Sequence, residues 1–188
     1  MNININTFNK WAKDNKDKAM ADGHYSSVMT MINMIRKNTL ILDRKFSLID
    51  IGCGNGWVVR EFLKNNKCIQ AVGIDGAENM INKANSYNLG EFINRDIETY
   101  IFNKKYDIVF SMETFYYFND PAKIISNIFR GSLEKDGVFI LGIDHYKENK
   151  STLSWGEDYN LKLNTLSSNE WINIFKNKKF KKIIYNNI

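Results

Sequence analysis

In Leu48-Ile49-Asp50-Ile51-Gly52-Cys53-Gly54-Asn55-Gly56-Trp57 an apolar run stops abruptly at glycines. Leu48, Ile49 and Ile51 read as a strand buried in a parallel sheet. Helical spacing begins at once, with Val58, Val59, Phe62 and Leu63 on one face. The order is therefore strand, glycine turn, helix. Gly52, Gly54 and Gly56 allow a sharp turn and close approach of a ligand to the backbone. The helix that follows turns unpaired N–H groups toward whatever sits over the turn.

The rest of the chain repeats this alternation. Two helices precede the first strand: one carries Phe8, Trp11 and Ala12, the other Val28, Met31, Ile32 and Ile35. The first strand spans Phe46 to Ile51 and its crossover helix runs from Gly56 to about Asn66. Further strands are expected at Cys68–Ile74, Glu91–Asn94, Tyr106–Phe110, Val138–Ile143 and Phe180–Tyr185. Met80, Ile81, Ala84 and Tyr87 stripe the second crossover helix. Asp120-Pro121 starts another, an N-cap carboxylate before proline at the first position, with Ile124, Ile125, Ile128 and Phe129 as its buried face. Asp136-Gly137 reads as a turn into the fifth strand. Ser167 with Glu170 forms a capping box for a helix that buries Trp171, Ile174 and Phe175. Strands alternating with helices predict an α/β fold, a three-layer αβα sandwich around a doubly wound, mostly parallel sheet.

With 188 residues and 44% hydrophobic composition, one domain with a substantial core is expected. No apolar run approaches the roughly 20 residues of a membrane span, and the Asn-rich N-terminus lacks the order of a signal peptide. Two cysteines, Cys53 and Cys68, make neither a disulfide framework nor a metal site by spacing. A cytoplasmic protein without membrane or metal is the expectation. The net charge of +5 resides in lysine far more than in the five arginines. The cluster Lys176, Lys178, Lys179, Lys181, Lys182 is local and reads as a solvated face, so a nucleic-acid partner is not expected.

The glycine spacing narrows the ligand. A dinucleotide loop has its third glycine five positions after the first, and here that position is Trp57. Asp50 just ahead would repel a pyrophosphate and suit a cationic amine. D-x-G-x-G after a first strand resembles motif I of class I S-adenosylmethionine (SAM) methyltransferases. Further signals fall in the order of that family. Asp75 ends the second strand, 23 residues after Gly52, where an acid can accept from both ribose hydroxyls. Tyr106-Asp107-Ile108-Val109-Phe110-Ser111 and Leu133, Asp136-Gly137, Val138-Phe139-Ile140 resemble the family's fourth- and fifth-strand segments, the second with Lys135-Asp136 in place of the usual Pro-Gly. The resemblance covers about residues 46 to 143.

The resemblance implies a Rossmann-like SAM-dependent methyltransferase with SAM as cofactor. On the cofactor side it implies Asp50, Gly52, Cys53, Gly54, Gly56, Trp57, Asp75, Gly76 and Met80. It also implies that Asp96 accepts from the adenine amino group, that the Ile97 N–H meets the ring, and that Ser111 and Met112 line the methionine part. It divides the single domain (1–188) into an N-terminal helical lid (1–38), a SAM-binding core (46–143) and an acceptor-side loop, helix and last strand (144–188). Family sheets usually add a seventh strand. This chain stops at Ile188 with that strand missing, either cut short or doing without it, which would expose the edges of strands five and six.

The acceptor cavity is expected between the lid and the loops after strands four and five. Trp11, Met20, Tyr25, Tyr116, Tyr117 and Tyr146 are its candidate walls, with Phe115, Asp144 and Trp155 nearby. His145, with His24 in reserve, suits removal of a proton from an acceptor, and Glu113 is placed to orient a hydroxyl or amine. The expected reaction is in-line methyl transfer to a small molecule, leaving S-adenosylhomocysteine, in a monomer or homodimer. The alternatives are an RNA or protein methyltransferase and an inactive SAM-binding partner or sensor.

Overall fold

The computed structural model describes residues 2–178 and 180–186. Lys179 of the lysine cluster therefore lies outside the described residues. Strands β1 (Phe46–Ile51), β2 (Cys68–Asp75), β3 (Glu91–Asn94), β4 (Tyr106–Met112) and β5 (Leu133–Gly142) form one sheet in the order β3-β2-β1-β4-β5. All four pairings are parallel. Helices α1 (Ile3–Lys13) and α2 (Asp17–Asn38) precede the sheet. α3 (Trp57–Leu63), α4 (Glu78–Ser86) and α5 (Pro121–Gly131) are crossovers, and α6 (Trp155–Asp158) and α7 (Ser168–Lys176) follow.

Alternation along β1 sorts the core into two layers. Ile49 and Ile51, with Val72, Ile74 and Val109, face Ile124, Ile125 and Ile128 of α5 and Trp171 of α7. Phe46 and Leu48, with Ala71, Ile108 and Phe110, face Val28, Met31, Ile32 and Ile35 of α2 and Val58, Val59 and Phe62 of α3. Ile49 pairs with Val72 on one side and Val109 on the other. The chain winds outward one way through β2 and β3 and the other way through β4 and β5. That reversal opens a crevice at the carboxyl ends of β1 and β4.

Local signals set the helix starts. The Asp120 carboxylate accepts from the Lys123 N–H at 2.9 Å, with Pro121 following it. Ser167 and Glu170 form the reciprocal capping box at α7.

Three sequence expectations are corrected. Residues 180–185 form no strand. Phe180 packs its ring 4.8 Å from Phe129 and 5.6 Å from Phe175, so the chain tucks against α5 and α7 instead of running along β5. Next, β5 starts at Leu133, ahead of the expected Asp136-Gly137 turn, which is absorbed as a register irregularity opposite Tyr106 and Ile108. Finally, the segment 1–38, expected as one lid, divides in its packing. Val28, Met31, Ile32 and Ile35 are core residues on the α2–α3 side of the sheet, so only α1 and the first turns of α2 overlie the crevice.

Asp107 lies at the opposite end of the sheet from the crevice. Its carboxylate accepts from the Ser47 N–H at 2.9 Å and from Arg44 at 2.8 Å, which holds its pKa below the usual carboxylate value. Asp107→Ala is expected to destabilise the fold by about 1–3 kcal/mol, chiefly through the orphaned Ser47 amide, since the exposed Arg44 pair adds little. Urea denaturation measures this; an unchanged midpoint would show that water replaces the carboxylate.

Candidate functional site

The turn after β1 is built from backbone bonds. The Gly52 and Cys53 N–H groups donate to the Ile74 carbonyl at 2.8 and 3.1 Å, drawing the loop toward β2. Gly52 has φ +75°, and a Cβ there would overlap the Thr114 side chain. Gly56 caps α3 in the left-handed region at φ 76°, where a Cβ would strike Phe92. Between them, the Gly54 N–H donates to Asp75 Oδ2 at 3.0 Å and the Ala77 N–H to Asp75 Oδ1 at 2.7 Å. Each carboxylate oxygen has capacity to accept once more.

A cleft of about 140 Å³ lies over this turn. Five carboxylates line it, from Asp17, Asp50, Asp75, Asp96 and Glu113, and no lysine or arginine does so among the described residues. Burial pushes the Asp50 pKa up to about 8, with the Asp75 charge adding to it. Burial also raises Asp75, while the Ala77 and Gly54 amides pull it back. Glu113, at the exit of β4, is raised to about 8 by burial and then by Asp144, against the bond from Tyr116 and the nearby Asp144 amide. The Tyr116 hydroxyl donates to Glu113 Oε2 at 2.6 Å, and Oε1 is buried with no hydrogen-bond partner. Glu113 also sits at φ 54°, unusual for a residue with a side chain.

The N-terminal helices close the cleft by polar ties. Asn4, almost fully buried, donates to the Tyr117 and Lys162 carbonyls at 3.2 and 2.8 Å and accepts from the Lys162 N–H. Asn9 Oδ1 accepts from the Asn79 N–H at the start of α4. Asp17 accepts from Asn55 of the glycine turn and pairs with Lys83 of α4.

The structure brings most of the sequence-predicted residues together. Asp50, Gly52, Cys53, Gly54, Trp57, Asp75, Gly76, Met80, Asp96, Ile97 and Met112 line the cleft, as do Glu113, His24, Met20 and Tyr117. Burial lowers the His24 pKa, and Asp144 pulls it back up.

The others do not reach it. His145 is the main correction: its ring is 1% exposed and both nitrogens are engaged. Nδ1 lies 3.1 Å from the Thr152 carbonyl, which can only accept, so Nδ1 carries the hydrogen and Nε2 accepts from the Thr165 hydroxyl at 2.7 Å. No lone pair is left to take a proton, so His145 braces the acceptor-side loop. Ser111 is buried with its hydroxyl on the Ile51 carbonyl, and Gly56, the N-cap of α3, backs onto Phe92. Trp11 packs edge-on against Phe8 and Tyr159. Tyr25 is 49% exposed beside Trp57. Tyr116 reaches the cleft only through Glu113, and Tyr146 packs on the core.

Asn2, Asn4, Ile5, Phe8, Asp17, Ala21, Asn55, Val58, Thr114 and Phe118 complete the lining. Phe8 stood on a recognised apolar face. Asn4 and Asp17 act through partners 158 and 38 positions away, for which no local signal exists. Among the described residues no helix is long and apolar enough to cross a membrane, and no His/Cys/Asp/Glu cluster could hold a metal.

A family model described as a methyltransferase domain matches residues 9–184. A malonyl-[acyl-carrier protein] O-methyltransferase of Acetivibrio thermocellus is 31% identical over 139 residues, covering 72% of this chain and 44% of that protein. The chain thus spans less than half the length of that curated relative. A Haloferax volcanii protein solved in complex with the Trm112 methyltransferase activator superposes with a TM-score of 0.80 at 27% identity, covering 90% of this chain and 74% of that one. A plantazolicin methyltransferase holding SAH superposes with a TM-score of 0.64 at 18% identity, over 92% and 74% of the two chains, which shows the shared fold.

The raised Asp50 pKa has a measurable consequence. The folded-state value lies above the unfolded value of 3.8, so the stability this group contributes is complete below about pH 4 and lost as pH rises through about 8. Asp50→Asn is expected to match the ligand-free wild type at low pH and exceed it above pH 8, by up to several kcal/mol at about 1.4 kcal/mol per pKa unit. Urea midpoints across pH check this, and a pH-independent difference between the two proteins would contradict it.

Proposed function

This chain belongs to the family of methyltransferase domains, and on that premise we propose that it moves the methyl group of SAM onto a small acceptor held beneath its N-terminal helices. The observation that carries the reading is the cleft lining: five carboxylates and no lysine or arginine among the described residues, in a protein of net charge +5. SAM bears a sulfonium and an ammonium group, so this lining fits it and disfavours a pyrophosphate. The bound cofactor supplies an electrophilic methyl group.

The residues then take distinct parts. Asp75, with its carboxylate fixed by two backbone amides, accepts from the ribose hydroxyls through its remaining lone pairs. Asp50, deeper in the turn, faces the methionine ammonium, whose arrival favours the ionised carboxylate. Asp96 and the Ile97 N–H meet the adenine. Trp57, where a dinucleotide loop has glycine, closes the near side. The lid and aromatic walls align the acceptor and exclude water, which for a sulfonium donor supplies most of the catalysis. His24 is the histidine that lines this cleft, and burial keeps it in its neutral, proton-accepting form. The absence of lysine and arginine from the described lining favours a small acceptor over RNA, whose phosphates need them.

Asp75→Ala is expected to weaken SAM binding by about 1–3 kcal/mol, the cost of leaving buried ribose hydroxyls without an acceptor. Calorimetry on the folded variant tests it, and an unchanged Kd would place the ribose partner elsewhere. SAM should also raise hydrogen-exchange protection over residues 3–25 and leave residues 28–38 unaltered, since the first group closes the cleft and the second belongs to the core. Equal change in both groups would remove the lid.

A further inference from the structure

Glu113 is the group at this site with an unmet need. Its backbone is fixed where β4 meets β5, with its N–H on the Gly142 carbonyl at 2.9 Å and φ in the left-handed region. One carboxyl oxygen is taken by Tyr116, itself backed by the Tyr117 hydroxyl at 3.4 Å. The other, Oε1, is buried in the cleft wall with no hydrogen bond of full geometry, the Asp144 amide being the nearby backbone donor. A buried carboxyl oxygen short of a well-aligned donor is costly, and no lysine or arginine among the described lining residues is there to supply one. A ligand with a well-aimed N–H can supply that donor.

Position separates this need from that of the cofactor. Asp75 and Asp96 end β2 and β3 on one side of the crevice, with Asp50 in the middle strand. Glu113 stands beyond them on the β4 side, beside the Tyr117 and Phe118 rings and close to Asp144. An acceptor carrying a carboxylate would bring a further negative charge beside Asp144. A hydroxyl offers one hydrogen. An amine offers two or three together with a complementary charge.

We propose that Glu113 is the specificity-determining residue of an acceptor subsite for small primary or secondary amines with an apolar body, bound through its free Oε1. The assignment rests on the methyltransferase reading of the cleft. In the reaction a protonated amine gives one proton to the Glu113 carboxylate. The freed nitrogen lone pair forms an N–C bond as the C–S bond of SAM breaks with its electrons going to sulfur, and the proton passes on to solvent.

Three probes matched in size test this on the SAH-loaded protein by calorimetry: phenethylamine, 2-phenylethanol and phenylacetate. SAH formation from SAM is followed with each. Phenethylamine is expected to bind about tenfold or more tightly than the other two and to be methylated. Glu113→Gln should abolish that preference while SAM affinity stays within about twofold, about 0.4 kcal/mol. A variant that lost SAM affinity to the same degree would assign the carboxyl to the cofactor and overturn the proposal. Preference for phenylacetate, equal binding of all three, or binding of none by the wild type overturns it as well, with no variant needed. If the wild type bound neither SAM nor SAH, the methyltransferase reading would fall and the amine subsite with it; SAH binding without amine preference removes the subsite alone.

Discussion

The hydrogen bond from the Gly54 amide to the Asp75 carboxylate is the tie on which the cleft depends. It can form because β1 and β2 run parallel in register, Ile51 beside Ile74, so both carboxyl ends finish at one level. It also requires a backbone that turns through positive φ at three positions in five residues, which side chains would resist. Asn55, held between Gly54 and Gly56, then points outward to Asp17 and couples the turn to the helices above it.

The charge distribution follows from the same geometry. Parallel strands bring their carboxyl ends to one side, and this chain places acids at the ends of β1, β2 and β4. Burial is the first cause of the raised values at Asp50, Asp75 and Glu113, with the Asp75 charge adding at Asp50 and the Asp144 charge at Glu113. The excess lysines lie elsewhere, several in exposed pairs that contribute little to stability. A basic protein with an acidic cleft attracts cations at the site and leaves the rest of its surface soluble by net charge.

The two N-terminal helices divide by composition. The second half of α2 buries Val28, Met31, Ile32 and Ile35, which fixes it to the sheet. α1 packs Ala12, Phe8 and Trp11 on Ala77 and Met80 of the α4 side, and it and the start of α2 add amide and carboxylate contacts from Asn4, Asn9 and Asp17. Hydrogen bonds of this kind are worth about 0.5–1.5 kcal/mol net each.

The alternating α/β order, the positions of β1 to β4, both capping devices and most of the cleft lining were legible in the sequence. These depend on periodicity and on turn chemistry, which act over a few residues. The failures share the opposite character. His145 leaves its strand where a catalytic base would, yet its ring is turned inward by Thr152 and Thr165. Residues 180–185 have the composition of a strand, and the pull of Phe129 and Phe175 on Phe180 draws them off the sheet. Asn4 and Asp17 entered the site through partners far along the chain. Local pattern determined which segments became strands and helices and which acids stood at strand ends. The direction of each loop side chain was decided only by tertiary packing, because outside a helix or strand no period ties a residue's position in the chain to the way it faces.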